Sequence, residues 1–440
     1  MRLIFSRNKV EGVLTYISLT LAGSYFFYLV KRWNFAVENK LTNGFALNPL
    51  LWLTLFGCIY LVLGSMLSSQ SQIIFGINAT DAARTQAGWV SIYTFLSLFI
   101  GYIWVPDRAL EVIEQNLGAA GSLLVAGGLL AGVLIWFCLL SEGGALLSLK
   151  DQRVAAHDYF REIILGKYKL AMLQQIATVA ALTFFLKKRS TKVSMSILFI
   201  YCAPLVLIDF FQGGRGMITG SMIFLIIVFG MQDRKIPWKL FLLLAFSFNI
   251  YTMLMRLEET DFLDKNFILR SISEIYLTQS SLVYLVEQNI TTSFFELVRL
   301  FFAKMMPFGI GSSYVSQSEQ YVDLIRYNLN MGFGLAGNIA AEAFYYGGYV
   351  FSVISPWIIF IVIRGLYGGG LLLTLPGLIV VLLINMSAQN IIRTEFYVTF
   401  AGIISIILSY LLPITILTWG HRVLAEKIVN INSDENEVIR

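Results

Sequence analysis

Uninterrupted apolar runs dominate the chain, and most approach the length of about 20 residues that a helix needs to cross a bilayer. Backbone amides in lipid must be hydrogen bonded within their own segment, and the alternating pattern of membrane strands is absent from the sequence. The pattern therefore predicts an all-α polytopic membrane protein, a bundle of about 11 transmembrane helices within a range of about 10–12. The predicted spans are 13–30, 48–67, 88–105, 119–141, 168–186, 193–209, 217–231, 238–255, 347–363, 369–388 and 396–419.

The distribution of positive charge predicts the orientation of the spans. The turn KKRSTK at 187–192 carries four positive charges and no negative one, which is typical of a cytoplasmic turn. Counting spans from it places Arg215, the segment 257–346 and the turn 390–395 on the outer face. The same count leaves the N-terminus outside, which the positive-inside rule disfavours, so the side of the N-terminus stays open. The basic residues placed inside are Lys31, Arg32, Arg234, Lys235, Lys239, Arg364, Arg422 and Lys427.

The segment 257–346 is far longer than a connection between spans requires. It holds ten carboxylates against five cations, a balance expected of an extracytoplasmic loop. Helices are predicted within it at 267–288 and 293–306. The second of these has little polar face beyond Glu296, Arg299 and Lys304, and is expected to lie along the membrane surface or dip into it.

Four parts follow from this pattern. They are the N-terminal transmembrane helices at 1–256, the extracytoplasmic loop with interfacial helices at 257–346, the C-terminal transmembrane helices at 347–420 and a cytoplasmic tail at 421–440.

Composition excludes several classes of site. The chain is 57% hydrophobic, and its net charge of +5 is the excess expected on cytoplasmic loops, so no nucleic-acid partner is predicted. All three cysteines lie in apolar runs, and His157 and His421 have no cysteine or carboxylate near them at metal-ligand spacing. We therefore expect no disulfide scaffold, no metal site and no cofactor. Ionisable residues are almost absent from the predicted spans, which favours a site at the outer interface over a relay through the bilayer.

Arg215 lies in the motif QGGRG at 212–216, at the edge of a predicted span. Glycines on both sides allow a backbone to approach a ligand closely, and a guanidinium can bind two phosphate oxygens at once. The alternative is an arginine that reaches the lipid head groups.

A glycine-rich approach at 332–348 opens a predicted helix that carries Glu342 and then Tyr345 and Tyr346. The N-terminus of such a helix suits an anion, and aromatic rings suit the faces of sugars. Packing of small residues is the alternative for the glycines, but an acid within an apolar helix needs a partner. In the turn between the last two predicted spans, Arg393 and Glu395 form either a further part of the site or a simple ion pair at the rim.

These elements together resemble the Wzy-type polysaccharide polymerases, membrane enzymes that polymerise lipid-linked oligosaccharide repeat units of O-antigen, capsule or exopolysaccharide. The resemblance covers most of the chain as an order of elements: the 212–216 motif, the 332–348 stretch after a long outer loop, and the Arg393 turn. The distance from Arg326 to Gly337 is also similar to a spacing in such enzymes.

The resemblance implies a GT-C-like, metal-independent glycosyltransferase of lipopolysaccharide or related polysaccharide biosynthesis, multi-pass in the bacterial cytoplasmic (inner) membrane with its active site facing the periplasm. It would transfer a growing glycan from undecaprenyl pyrophosphate to a hydroxyl of a new undecaprenyl-pyrophosphate-linked repeat unit. A chain-length regulator protein and a flippase are implied as partners, besides the membrane lipids.

The resemblance also implies roles for individual residues. Glu342 or Glu395 would orient or deprotonate the acceptor hydroxyl, and orientation is favoured because nearby arginines keep a carboxylate a poor base. The residues implied for catalysis are Glu342, Glu395, Arg215 and Arg393; for pyrophosphate binding Arg215, Arg393, Arg326, Arg299 and Arg270; and for sugar binding Tyr345, Tyr346 and Asn338.

Two alternatives stay open. An O-antigen ligase uses the same donor with lipid A core as acceptor; a fixed outer-face histidine would favour it, and His157 lies away from the long loop. A flippase or exporter of lipid-linked oligosaccharide would have cationic residues lining the bundle interior and an internal two-fold repeat, and the sequence has neither.

Overall fold

A computed structural model of the chain describes residues 9–66, 79–107, 118–148, 159, 216–231, 273–307, 337–368 and 375–411. Within these ranges all regular structure is helical and no strand occurs. The chain divides into two compact units. The first comprises Met1–Glu111, Gly213–Met305 and Gly309–Ile403, and the second Val112–Gln212, Met306–Phe308 and Ile404–Arg440.

The described helices include one at each predicted apolar run that can be compared, but those at 217–231, 369–388 and 396–419 are shorter apolar helices of 10–17 residues. In chain order they are α1 (Lys9–Glu38), α2 (Thr42–Leu47), α3 (Pro49–Met66, π-helical at Cys58–Leu63), α4 (Asp81–Trp104), α5 (Gly118–Ser148), α6 (Gly216–Met231), α7 (Ser273–Glu287), α8 (Phe294–Met305), α9 (Ile339–Tyr345), α10 (Gly348–Gly368), α11 (Leu375–Met386), α12 (Ala388–Arg393) and α13 (Phe396–Ile406, continued by a π-helical stretch at Ile407–Leu411).

Five of these helices are long and apolar enough to cross a membrane, counted over the described ranges only. This confirms the expected class, a helical membrane protein. The predicted spans at 168–186, 193–209 and 238–255 lie outside the described residues. The five helical segments are Gly12–Glu38, Pro49–Met66, Asp81–Trp104, Ala126–Ala145 and Gly348–Gly368.

Helices α4 and α10 of the first unit run side by side in the same direction. The Tyr349 hydroxyl donates to Gln86 Oε1 (2.7 Å) near the start of both helices. Further along, the Tyr93 hydroxyl donates to the carbonyl of Val353 (3.2 Å) and accepts from Trp357 Nε1 (3.0 Å). Contacts that advance in the same order on both helices fix them as a parallel pair.

A buried ion pair holds the C-terminal ends of α1 and α4 together. Arg32 donates to both carboxylate oxygens of Asp107, with Nε–Oδ2 at 2.6 Å and Nη2–Oδ1 at 3.0 Å. Its other N–H groups donate to the carbonyls of Tyr102 and Val105 and to the Tyr28 hydroxyl, so all five are engaged. Arg32, one of the basic residues predicted to mark the inner face, is therefore buried in an ion pair that joins α1 to the end of α4. We call this end of the first unit the Arg32 end.

The opposite end of the first unit contains the start of α4 and the close of α7. Thr80 caps α4, its Oγ1 accepting from Ala83 N (3.2 Å), which satisfies an amide in the first helical turn. The Glu287 carboxylate accepts from both the amide (2.9 Å) and the hydroxyl (2.7 Å) of Thr80. These hydrogen bonds lower the pKa of the exposed Glu287 carboxyl. Helices α9 and α10 begin at this same end, beside the site described next.

Candidate functional site

The short helix α9 is fixed by its N-cap residue, Asn338. The side-chain Oδ1 of Asn338 accepts from Ala341 N (2.7 Å), and its Nδ2 donates to the Thr278 carbonyl (2.9 Å) and towards Gln279 Oε1 (3.4 Å). The Gln279 oxygen also accepts from Ser91 Oγ (2.9 Å), so α4, α7 and α9 meet in one buried polar network. Asn338 has no exposed surface in this position.

Glu342 binds the N-terminus of another helix. Its carboxylate accepts from the backbone amides of Phe396 (2.6 Å to Oε2) and Tyr397 (3.2 Å to Oε1), the first two residues of α13. The first amides of a helix lack partners within the helix, and the helix dipole favours negative charge there. The fully buried acid that the sequence predicted must find a partner therefore finds it in the backbone, 54 residues further along the chain.

The Glu342 carboxyl has a raised pKa. Burial is the main cause, because removal from water disfavours the charged form, and the Glu395 carboxyl raises the pKa further. The amide hydrogen bonds from α13 act in the opposite direction but do not offset burial. Two buried carboxyls thus lie beside one helix N-terminus, and Glu342 favours its protonated form there more than a carboxyl in water does.

Arg393 and Glu395 flank the break between α12 and α13. Arg393 is the last residue of α12 and is partly buried, whereas Glu395, directly before α13, is buried. Helix α6, which begins at Gly216, packs nearby: a Cβ added to Gly220 would lie 3.0 Å from the Met386 carbonyl at the end of α11.

Tyr346 is part of a hydrophobic cluster that joins α8, α9 and α10. Tyr345 lies at the edge of this cluster and stays partly exposed. Partial burial raises the pKa of the Tyr345 hydroxyl, and the Glu296 carboxylate of α8 raises it further. The buried members are Leu297, Leu300, Ala343, Tyr346 and Phe351, with Tyr345, Ile358, Tyr397 and Val398 packed against them.

Two glycines of the predicted 332–348 approach have structural reasons to be glycine. Gly348 has φ of +61°, a left-handed conformation that residues with a Cβ rarely adopt. A Cβ on Gly347 would lie 2.7 Å from the Cβ of Phe351. For these two positions the packing alternative accounts for the residue, since they make the tight turn from α9 into α10.

The structure brings part of the predicted site together. Glu342, Glu395 and Arg393 lie at or near the start of α13; Tyr345 ends the helix that carries Glu342, and Tyr346 is the C-cap residue directly after it. Arg299 lies on α8, where its side chain is 68% exposed and pairs with Glu296 at 3.2 Å. Arg215, Arg270 and Arg326 lie outside the described residues. The roles of all these residues in binding and catalysis stay predictions.

Sequence reasoning missed the capping of α13 by Glu342 and the network around Asn338. The first has no local signal, because the donors are backbone amides far along the chain. The second had one: the fully buried polar run Thr278, Gln279, Ser280 and Ser281 interrupts an otherwise apolar helix. Across the described ranges, no group of three or more histidine, cysteine, aspartate or glutamate side chains is placed to hold a metal ion.

Comparisons with protein-family models, with curated proteins and with solved structures find no match to this chain.

Proposed function

We propose that this chain is a membrane glycosyltransferase that polymerises undecaprenyl-pyrophosphate-linked oligosaccharide repeat units at the outer face of the bacterial cytoplasmic membrane. In the reaction, a hydroxyl oxygen of the acceptor repeat unit attacks C1 of the donor sugar. The bond from C1 to the pyrophosphate oxygen breaks, the pyrophosphate leaves with the electron pair, and the hydroxyl proton passes to a carboxylate or to water.

One observation carries this proposal: two buried carboxyls lie at the start of α13, and Arg393 is two residues from one of them, in a protein with several helices long and apolar enough to cross a membrane. A leaving pyrophosphate is stabilised by cations, and Arg393 is the described cation nearest in sequence to Glu395. Guanidinium groups bind phosphate oxygens in a fork, so Arg393 is assigned to the pyrophosphate together with Arg215, which precedes α6.

The two carboxyls receive different roles. Both oxygens of Glu342 already accept backbone amides, so Glu342 is a positioning residue that holds α13 and the turn before it. Glu395 is then the carboxyl assigned to orient the acceptor hydroxyl. A charged pair at about 4 Å contributes on the order of 4 kcal/mol before desolvation at an effective dielectric near 20, so even one arginine fork stabilises the departing pyrophosphate substantially.

The proposed topology has about 11 spans. Five of these correspond to described helices that are long and apolar enough to cross a membrane. The end that carries Glu342 is proposed to face the periplasm. The Arg32 end, where Tyr367 of α10 donates to the Gly44 carbonyl, is proposed to face the cytoplasm together with the exposed Arg364. The GT-C-like relationship belongs to this proposal as well.

The decisive experiment uses purified full-length protein, undecaprenyl-pyrophosphate-linked repeat units from its host and separation of the products by length. A ladder of lengthening lipid-linked chains is expected. Arg393→Ala should lower the rate by about 10²–10³-fold if the guanidinium stabilises the leaving group, and Arg393→Lys should restore little.

The matched control is Arg364→Ala, which removes an exposed arginine from the opposite end of the same unit and should leave the rate unchanged. A ladder of undiminished length and rate from Arg393→Ala would remove Arg393 from the site. Absence of any ladder, with transfer of the glycan to lipid A core instead, would make the chain a ligase. Substrate crossing a liposome bilayer without transfer would make it a flippase.

A further inference from the structure

Helix α8 has one face against the protein and one face turned outward. Leu297 and Leu300 are buried in the cluster with α9 and α10. On the outward face, Phe295, Phe302 and Met306, the last directly after the helix, are 80%, 54% and 50% exposed. Exposed apolar side chains on one face of a helix, here interrupted only by Arg299, mark a contact surface for a partner or for lipid.

Helix α8 follows α13 along its length instead of crossing its end. The rings of Phe301 and Phe400 stack with centroids 6.4 Å apart, one turn into α13. Further along, Ser405 Oγ donates to the Met306 carbonyl at 2.6 Å. Ser405 is nine residues beyond Phe396, which corresponds to about 14 Å of helix rise. A helix lying across the end of α13 would make contacts over a much shorter stretch.

The contacts of α8 with helix α10 extend over a similar length. The cluster packed under α8 extends from Phe351 to Ile358 of α10, a rise of about 10 Å. Helix α10 is long and apolar enough to cross a membrane, and in a membrane-spanning α10 this stretch would lie within the bilayer core. The exposed apolar residues of α10 include Val350, Val353, Ile354 and Ile361.

The charges of α8 are compatible with such a position. Arg299 is the cation of the outward face; it lies in the first half of the helix, and its long side chain can reach phosphate groups at the membrane surface. Lys304 lies four residues after Leu300 and seven after Leu297, so it belongs to the protein-facing side. The outward face beyond Arg299 is therefore apolar.

We propose that α8 descends into the bilayer beside α13. Its outward face, formed by Phe295, Phe302 and Met306, contacts the acyl chains of bulk phospholipid, and Arg299 reaches the phosphate head groups. Of the two positions that the sequence allowed, along the surface or dipping into the membrane, the contacts with α10 and α13 select the second. The proposal does not depend on the enzymatic activity.

The test attaches a nitroxide to single cysteines in the full chain, with the three native cysteines replaced by alanine. The variants Phe295→Cys, Phe302→Cys and Met306→Cys are reconstituted into vesicles of phosphatidylethanolamine and phosphatidylglycerol. Power-saturation EPR then compares collisions with oxygen, which concentrates in lipid, and with a water-soluble nickel chelate. Val350→Cys on α10 is the lipid-facing control, and Lys40→Cys, in the exposed turn after α1, is the water-facing control.

All three positions are expected to be relaxed by oxygen more than by the nickel chelate, as Val350→Cys is, and the depth should increase from 295 to 302 to 306 by about 1.5 Å per residue. Accessibility to the nickel chelate at the level of Lys40→Cys would overturn the proposal. Low accessibility to both oxygen and the nickel chelate would mean that a second copy or another protein covers the face. Equal depth at all positions would mean that α8 lies flat on the membrane. Either result also overturns the proposal. Three independent positions keep the test valid if one variant fails to fold.

Discussion

Replacing Glu342 with alanine should destabilise the protein by removing the acceptor for the first amides of α13. A hydrogen bond to a charged group contributes about 1.5–3 kcal/mol, and a buried donor left without an acceptor costs about 1–3 kcal/mol. The two bonds, to Phe396 and Tyr397, are partly weakened because the raised pKa favours the protonated acid. We therefore expect a loss of about 2–5 kcal/mol for Glu342→Ala. Glu342→Gln keeps one carbonyl oxygen and should lose about half as much.

The assay is thermal unfolding of detergent-purified protein, followed by size-exclusion chromatography after heating. Unfolding of a large membrane protein is irreversible, so the observable is an apparent Tm at a fixed heating rate. The apparent Tm is expected to be lowest for Glu342→Ala, higher for Glu342→Gln and highest for the unchanged chain. The two Glu342 variants should differ by on the order of 5 °C. The control is Glu296→Gln, a carboxylate of α8 whose ion pair with Arg299 is at the surface and contributes at most about 1 kcal/mol. An apparent Tm for Glu342→Ala equal to that of the control would refute the capping role.

The raised pKa of Glu342 adds a dependence on pH with a defined sign. The native carboxyl holds its proton to a higher pH than the unfolded one, whose pKa is about 4.3. Its contribution to stability is therefore complete below the unfolded pKa and decreases as the pH rises towards the folded pKa. The Tm of the unchanged chain minus that of Glu342→Gln should shrink between pH 5 and pH 8. A difference that stays constant over this interval would mean that the buried carboxyl is already ionised in the folded protein.

Two further substitutions test the packing of the first unit, with apparent Tm as the measurement. Arg32→Gln leaves the buried Asp107 carboxylate without its cation and should cost about 3–5 kcal/mol of stability. The double variant Arg32→Gln with Asp107→Asn should recover part of this loss. No loss in the single variant would contradict a stabilising role for the Arg32–Asp107 ion pair. Gly101→Ala places a Cβ 2.5 Å from the Phe360 ring and should cost about 1–3 kcal/mol of stability. The control Gly23→Ala, with open space around the added Cβ, should be neutral or slightly stabilising. Equal Tm values for the two variants would contradict the close approach of α4 and α10.

The positions of the apolar helices could be predicted because run length reports the thickness of the bilayer. Their ends could not. The first run was predicted at 13–30, but α1 extends to Glu38, since a helix continues past the lipid boundary where polar residues such as Arg32 find partners. The run predicted to end at 388 ends at Met386, and most of the turn predicted at 390–395 belongs to the short helix α12, Ala388–Arg393, after a break at Ser387 that no glycine or proline signals.

For the site, the sequence located residues but not their partners. An asparagine before a helix is a common N-cap, so the capping role of Asn338 was accessible from the sequence, although it was assigned to sugar binding instead. The acceptor role of Glu342 was not accessible, because its donors are amides whose availability depends on where α13 begins. The prediction that Glu342 needs a partner is confirmed, and the identity of that partner comes from the three-dimensional structure alone.

Capping of α13 by Glu342 also changes what loss of activity in a variant can mean. The turn that carries Arg393 and Glu395 directly precedes α13, so releasing the helix N-terminus displaces both side chains at once. Glu342→Ala should therefore lose stability and rate together, through geometry. Arg393 is partly buried at the end of a short helix, and if its function is to bind pyrophosphate, Arg393→Ala should lose far more rate than its change in apparent Tm accounts for. Only that second combination identifies a residue that acts on the substrate, and it is the pattern by which Glu395 must be judged as well.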